Sequence, residues 1–413
     1  MPLLLACWLL MPALALATGA GRADALHFLQ RTGLGAGDSQ IDEWARLTRG
    51  EMIERALAGA ATVARTPPPA WVGEWTAPRQ VRDLGEAERK LFVREQARKG
   101  AELKAWWARE LLNTPAPLTE RMTLFWHNHF TSSLQKVRSP SLMYRQNALL
   151  RAHALGSFRE LLRAASRDPA MLLYLDAASN RRGRPNENFA REVMELFTLG
   201  EGRYSEADIR EAARALTGWS VDLDTGDFLW RAFAHDPGEK TILGRRGNFK
   251  GEDVIDLLLL QPATAEFIVA KLWKEFVSPA PQAGEVGRIA QVFRGADYDI
   301  RAALRALWSS EDFWAAQNRA VLVKSPVELV IGTLRRASPQ QVEAQSVAML
   351  LRRLGQDLFA PPNVRGWPGG EAWINSGTLL ARRQFLERVA RDDRGRQGGD
   401  LSLTLLDPAY QLK

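Results

Sequence analysis

The chain has 413 residues, 46% hydrophobic and 25% charged, with a formal net charge of +7. That balance is that of an ordinary globular protein, and a chain this long can bury a sizeable core without staples. The basic residues are interleaved with acids. Their tightest cluster, Arg181, Arg182 and Arg184, carries no nucleic-acid motif, so nucleic acid is not an expected partner.

Leu3 to Ala17 is apolar throughout. It is shorter than the ~20 residues of a membrane span, and Ala15-Leu16-Ala17 supplies a small-x-small cleavage pattern. The stretch reads as a signal peptide over residues 1–17, although no Lys or Arg precedes it. A buried N-terminal helix is the competing reading. Export places the mature chain in the periplasm or outside the cell, with no transmembrane helix. The single cysteine, Cys7, lies in this stretch, so no disulfide or Cys-based metal site is expected in the mature body.

From Ala25 onward the pattern is mainly α: a large helical body with one small β-hairpin near residues 228–243. Residues 38–60 form a helical run, and Pro67-Pro68-Pro69 is a stiff break. A long helix over 86–112, with Gly100 as its weak point, must stop before Pro115. The next helix begins after Pro117 with Thr119 as its N-cap. A run over 141–166 stops before Asp168-Pro169, and 170–177 is a short apolar helix. Residues 186–199 are helical and end at Gly200. Ser205 to Asp208 has the form of a capping box that opens a helix closing at Gly218. Phe228 to Ala234 and Thr241 to Leu243 read as two strands around His235-Asp236-Pro237-Gly238. Helices resume at 251–260, after Pro262, and at 284–294, 299–308, 326–336 and 341–354, before a Pro/Gly-rich loop at 360–370. One helical domain is expected over 25–388, with sub-boundaries near 66–70 and 221–250 and a flexible tail over 389–413.

Several segments together resemble one family. They include His27 to Gly33, Glu120 to Phe130 (ERMTLFWHNHF), Asn186 to Gly200 (NENFAREVMELFTLG) and Glu211 to Trp219. His235-Asp236, Lys271-Leu272-Trp273 and Pro361 to Gly370 (PPNVRGWPGG) follow in order. The chain is similar to the bacterial family catalogued as domain of unknown function 1800, from about residue 25 to 388. Leu34 departs from it, standing where the family more often has an aromatic. The resemblance implies an exported protein, often encoded beside a second exported family that resembles sulfatases and alkaline phosphatases. It implies no activity.

Four groups of residues could carry chemistry. His127 and His129 point about 200° apart on a helix, at roughly 100° per residue, so they share one divalent metal only if the helix ends near them. Otherwise they are a core histidine and a helix-end histidine. Glu192 and Glu195 are adjacent on the polar face of their helix. As a pair they could hold a hard metal or divide acid and base roles; otherwise they form a solvated face with an Arg191 salt bridge. His235-Asp236 is either a metal-ligand pair or a turn in which Asp caps the backbone. Arg365, Trp367 and Trp373 either present a binding surface for a sugar or a partner, or pin the loop into the core.

No P-loop, dinucleotide glycine fingerprint, Gly-x-Ser-x-Gly elbow or His-Glu-x-x-His occurs, so nucleotide-driven chemistry and standard serine hydrolysis are not expected. Two functions fit. The first is an exported accessory or binding protein working beside a hydrolase-like partner. The second is a metal-assisted hydrolase, with His127, His129, His235 and Asp236 as ligands and Glu192 or Glu195 as ligand or base.

Overall fold

The computed structural model describes residues 19–337, 342–397 and 400–413, the side chains of 393–402 apart. The signal-peptide reading of 1–17 concerns residues outside that set. The described chain is mainly α, with two small antiparallel two-stranded sheets. A single cluster of buried apolar side chains runs from Ala25 to Leu405 and includes the fully buried indoles of Trp107, Trp126, Trp273 and Trp308. No helix among the described residues is long and apolar enough to cross a membrane.

Local chemistry explains where helices break. The 38–60 run is two helices, Asp38–Trp44 and Arg49–Ala58, because Thr48 caps the second in a reciprocal box with Glu51. Gly100 does not interrupt helix Glu86–Asn113. Its missing side chain admits Leu134, whose Cδ2 would lie 2.8 Å from an added Cβ. Helix Pro117–His129 starts with proline in its first turn, and Thr119 is not its cap. The Thr119 hydroxyl instead accepts from the Ala61 amide at 3.0 Å. The 141–166 run divides into Pro140–Ala152 and Phe158–Arg167. Ser205 and Asp208 form the expected capping box at helix Glu206–Ala215.

The β region differs in pairing. Strand β1 (Trp219–Val221) pairs with β2 (Phe228–Trp230), and β3 (Lys240–Ile242) with β4 (Arg245–Gly247). The two expected strands therefore do not pair with each other. Between them Ala232–Ala234 forms a 3-10 turn. Leu243 and Gly244, with φ of 49° and 76°, close a tight hairpin that gives β3 its own partner.

The segment expected as a flexible tail, 389–413, is largely helical where it is described. Helix Ser376–Gln397 is followed by Asp400–Leu406 and a 3-10 turn, Pro408–Gln411. Leu405 is buried, and the Tyr410 hydroxyl lies 3.1 Å from the Thr333 hydroxyl. The buried Lys413 ammonium pairs with Glu328, which also pairs with the buried Arg121. Apolar anchors and this ion network hold the chain end against the body.

Candidate functional site

Helix Glu187–Met194 begins at Asn186, whose side chain accepts from the Asn188 amide, and it buries Phe189, Ala190, Val193 and Met194. Its polar face is the one the sequence periodicity marks. Arg191 there pairs with Glu206 at 2.8 Å and Glu187 at 3.5 Å. The helix then widens into a π-helical turn, Glu195–Leu199, where Thr198 Oγ1 donates to Val193 O at 2.6 Å. Gly200, with φ of 80°, ends it. Such turns are rare and concentrate at functional sites.

The last carbonyls of a helix need outside donors. Here Lys271 Nζ donates to Leu196 O at 3.2 Å and to His129 Nδ1 at 3.0 Å. His129 Nε2 donates to Phe197 O at 3.1 Å, which assigns the proton to that nitrogen and leaves Nδ1 as the acceptor. Burial, then the nearby Lys271, holds His129 well below its ordinary range. Burial, then Lys274, pushes Lys271 down to about 8.

The outer side of the turn is acidic. Glu195 accepts from the Tyr204 hydroxyl at 2.7 Å and from Arg365 Nη2 at 3.1 Å. The same Arg365 nitrogen reaches Glu201 at 2.9 Å. Burial, then the charge of Glu195, raises Glu192 above the ordinary carboxylate range, with Arg365 and Arg191 pulling the other way. Burial, then Glu195, also raises the Tyr204 phenol. Arg365 keeps 64% of its side chain exposed, whereas Glu195 keeps 17%.

Arg365 is delivered by the Pro/Gly loop. Asn363 Oδ1 accepts from the Arg365 amide at 2.9 Å, and Gly366 takes φ of 85°. The Trp367 amide donates to Asn128 Oδ1 at 2.7 Å. An added Cβ on Gly366 would stand 2.2 Å from that oxygen, so only glycine permits the approach. Trp367 is buried, its ring centroid 5.5 Å from that of His127. Trp373 is buried too. Both tryptophans pin the loop, and Arg365 alone of the three faces solvent.

The segment His127-Asn128-His129 therefore joins the two halves of the site. His127 packs on Trp367, Asn128 holds the loop backbone, and His129 holds the π turn. His127 packs also between Trp107 and Phe359, and neither of its ring nitrogens has a protein hydrogen-bond partner. Burial lowers it to about 3. The helix runs through both histidines, and both are buried.

His235 and Asp236 lie elsewhere, in a turn held by its own backbone. His235 Nδ1 donates to Thr217 O at 3.0 Å, and Asp236 accepts from the Gly238 amide at 2.9 Å and from Arg214 Nε at 2.8 Å. The Arg214 guanidinium draws Asp236 down to about 2. Among the described residues no three His, Cys, Asp or Glu side chains gather at metal-site spacing. His127, His129, His235 and Asp236 thus do not converge on one point, and each has a separate packing role.

The structure unites Glu192 and Glu195 with Arg365, two groups the sequence kept apart. It adds Glu201, Tyr204, Asn128 and Lys271, which sequence reasoning did not single out. Asn128 lies in the Glu120 to Phe130 segment and Lys271 in Lys271-Leu272-Trp273, and that was their only signal. A cleft of about 1010 Å³, lined by Trp71, Trp75, Phe92 and Met349 among others, contains none of these residues.

No curated protein and no solved structure matches the chain. A family model described as a protein of unknown function, DUF1800, matches residues 27–412, a span that takes in the π turn, the histidine segment that braces it, the Arg365 loop and the packed chain end. The chain belongs to that family.

Proposed function

We propose that this protein is an exported accessory protein of the cell envelope. It binds a hydrolase-like partner of the sulfatase and alkaline-phosphatase kind through the surface formed by Glu192, Glu195, Glu201, Tyr204 and Arg365. One observation carries this reading: the pinned loop delivers Arg365 onto the π turn, shares its charge between two carboxylates and leaves it largely exposed. A surface held rigid before binding loses little side-chain entropy on contact, which is how a modest polar patch gains affinity and specificity. Mixed charges on a fixed frame select a complementary partner more than they add raw affinity.

Titration calorimetry between the chain and an exported protein of the sulfatase and alkaline-phosphatase kind, such as family members often have encoded beside them, tests the reading. Binding should be measurable, and Arg365→Ala should weaken it at least tenfold while the thermal midpoint stays put. Absence of binding at millimolar concentration, or equal affinity of the variant, would overturn it.

The hydrolase reading keeps one supporting observation. Glu192 is raised toward the protonated form beside a Glu195 that accepts two hydrogen bonds. Two adjacent carboxylates in unlike environments are what acid–base hydrolysis requires. A Glu192→Gln variant that retains partner affinity yet abolishes a measured turnover would favour it.

A further inference from the structure

We propose that the cleft lined by Arg181, Arg184 and Arg231 is a second binding site, one that takes a sugar bearing a sulfate or phosphate ester. It stands independently of the partner-binding surface. The cleft measures about 430 Å³, and Ser179, Ser220 and Phe233 also line it. That is the size of a small-ligand pocket, for which roughly 300–1,000 Å³ is usual.

The cleft is built by two segments tied together. Arg181 and Arg184 face each other as an isolated antiparallel bridge around Gly183, which takes φ of 79°. Opposed residues of an antiparallel pair project to one side, so both guanidiniums leave the same face of the turn. The Arg182 amide donates to Ala234 O at 2.8 Å and fastens this turn to the 231–235 segment. The Arg231 amide donates to Gly218 O at 2.8 Å, and Gly218 donates to Asn180 O at 3.2 Å. Asn180 is buried, with Nδ2 on Ala213 O and Oδ1 taking the Asn186 amide, each at 2.9 Å. The frame is therefore fixed before any ligand arrives.

Its charge is one-sided. No carboxylate lines the cleft, and none of the three arginines makes an ion pair among the described residues. Guanidinium forks match the paired oxygens of a tetrahedral oxyanion, which makes arginine the usual residue for such groups. Phe233 stands at the cleft with 84% of its surface exposed. An exposed aromatic ring beside oxyanion donors suits the apolar face of a sugar. A strand of nucleic acid would instead need a basic groove with a series of exposed stacking rings, and of the two aromatic residues lining this pocket Trp219 is buried, leaving Phe233 as the exposed ring.

Calorimetry on the full chain tests this with five probes: a sulfated disaccharide, its phosphorylated counterpart, the ester-free disaccharide, inorganic sulfate and a short single-stranded oligonucleotide. At least one ester should bind tenfold or more tightly than the ester-free sugar, with affinity falling as salt rises. The tighter of the two identifies the source. Arg181→Ala with Arg184→Ala, and separately Arg231→Ala, should each cost tenfold or more. Arg231→Lys keeps the charge without the fork and should recover only part of the loss. Phe233→Ala should weaken the sugar esters severalfold but leave the affinity for inorganic sulfate unchanged. Unchanged thermal midpoints separate these losses from unfolding. Equal binding of the ester-free sugar, indifference to the arginine variants, or tighter binding of the oligonucleotide would overturn the proposal.

Discussion

Replacing His127 by phenylalanine should stabilise the protein, and more so in acid. The imidazole is fully enclosed by Trp107, Phe359 and Trp367, and neither ring nitrogen has a protein partner. A buried polar group without a partner costs about 1–3 kcal/mol, and an apolar ring of similar shape removes that cost, less some strain for its slightly larger volume. A gain of about 1 kcal/mol at pH 7 follows. The pH dependence is sharper. Burial lowers His127 from 6.5 to about 3. The stability tied to the neutral ring is therefore complete above the unfolded value and is lost as pH falls from 6.5 toward 3. At pH 5 the unfolded ring is protonated and the folded one is not, which costs the native protein about 2 kcal/mol. The phenylalanine variant escapes that cost. Urea unfolding at pH 7 and pH 5 checks this through the midpoint, with an unchanged slope as the control for two-state behaviour. The gap between variant and wild type should widen by about 2 kcal/mol on acidification. A destabilised variant at both pH values, with no widening, would mean that the imidazole nitrogens are engaged and would refute the reasoning.

Three further outcomes follow from the packing. Glu328→Gln should cost at most about 3–5 kcal/mol, because it removes the buried carboxylate that Arg121 and Lys413 share and leaves them only the partly exposed Glu275; chemical unfolding at pH 7 reads it. Burial alone would raise Glu328, but the charges of Arg121 and Lys413 outweigh it and hold the group well below the carboxylate range, so the network's contribution is present above about pH 4.5 and is lost below it. Gly366→Ala should destabilise by more than about 1 kcal/mol, from both its positive φ and the Asn128 contact, and it should release the Trp367 fluorescence environment. Arg365→Ala should change stability by no more than about 1 kcal/mol, because its ion pairs are largely solvated.

Helix periodicity was the most legible layer. The polar face of Glu187 to Glu195 and the Ser205 capping box stand where the spacing puts them, since both are set within one or two turns of chain. Strand pairing was not legible, because Leu243 and Gly244 give β3 a nearer partner than β2. The site itself was half legible. Glu192, Glu195 and Arg365 could be named, but not joined, because the join runs through Asn128 and the 3.6-residue period contains no sign of a π turn. Trp367 and Trp373 show why an aromatic in a Gly/Pro loop is ambiguous: nothing local distinguishes a ring that faces solvent from one that fills a core. The histidines were ambiguous for the same reason, as His129 needs Lys271 and Phe197, far off in sequence, to fix its role.

Amide hydrogen exchange of the chain, alone and with the hydrolase-like partner proposed for it, measures the proposed surface most directly. Protection on binding should be confined to residues 192–204 and 361–367. Protection elsewhere, or none at saturating partner, would contradict the assignment of that surface.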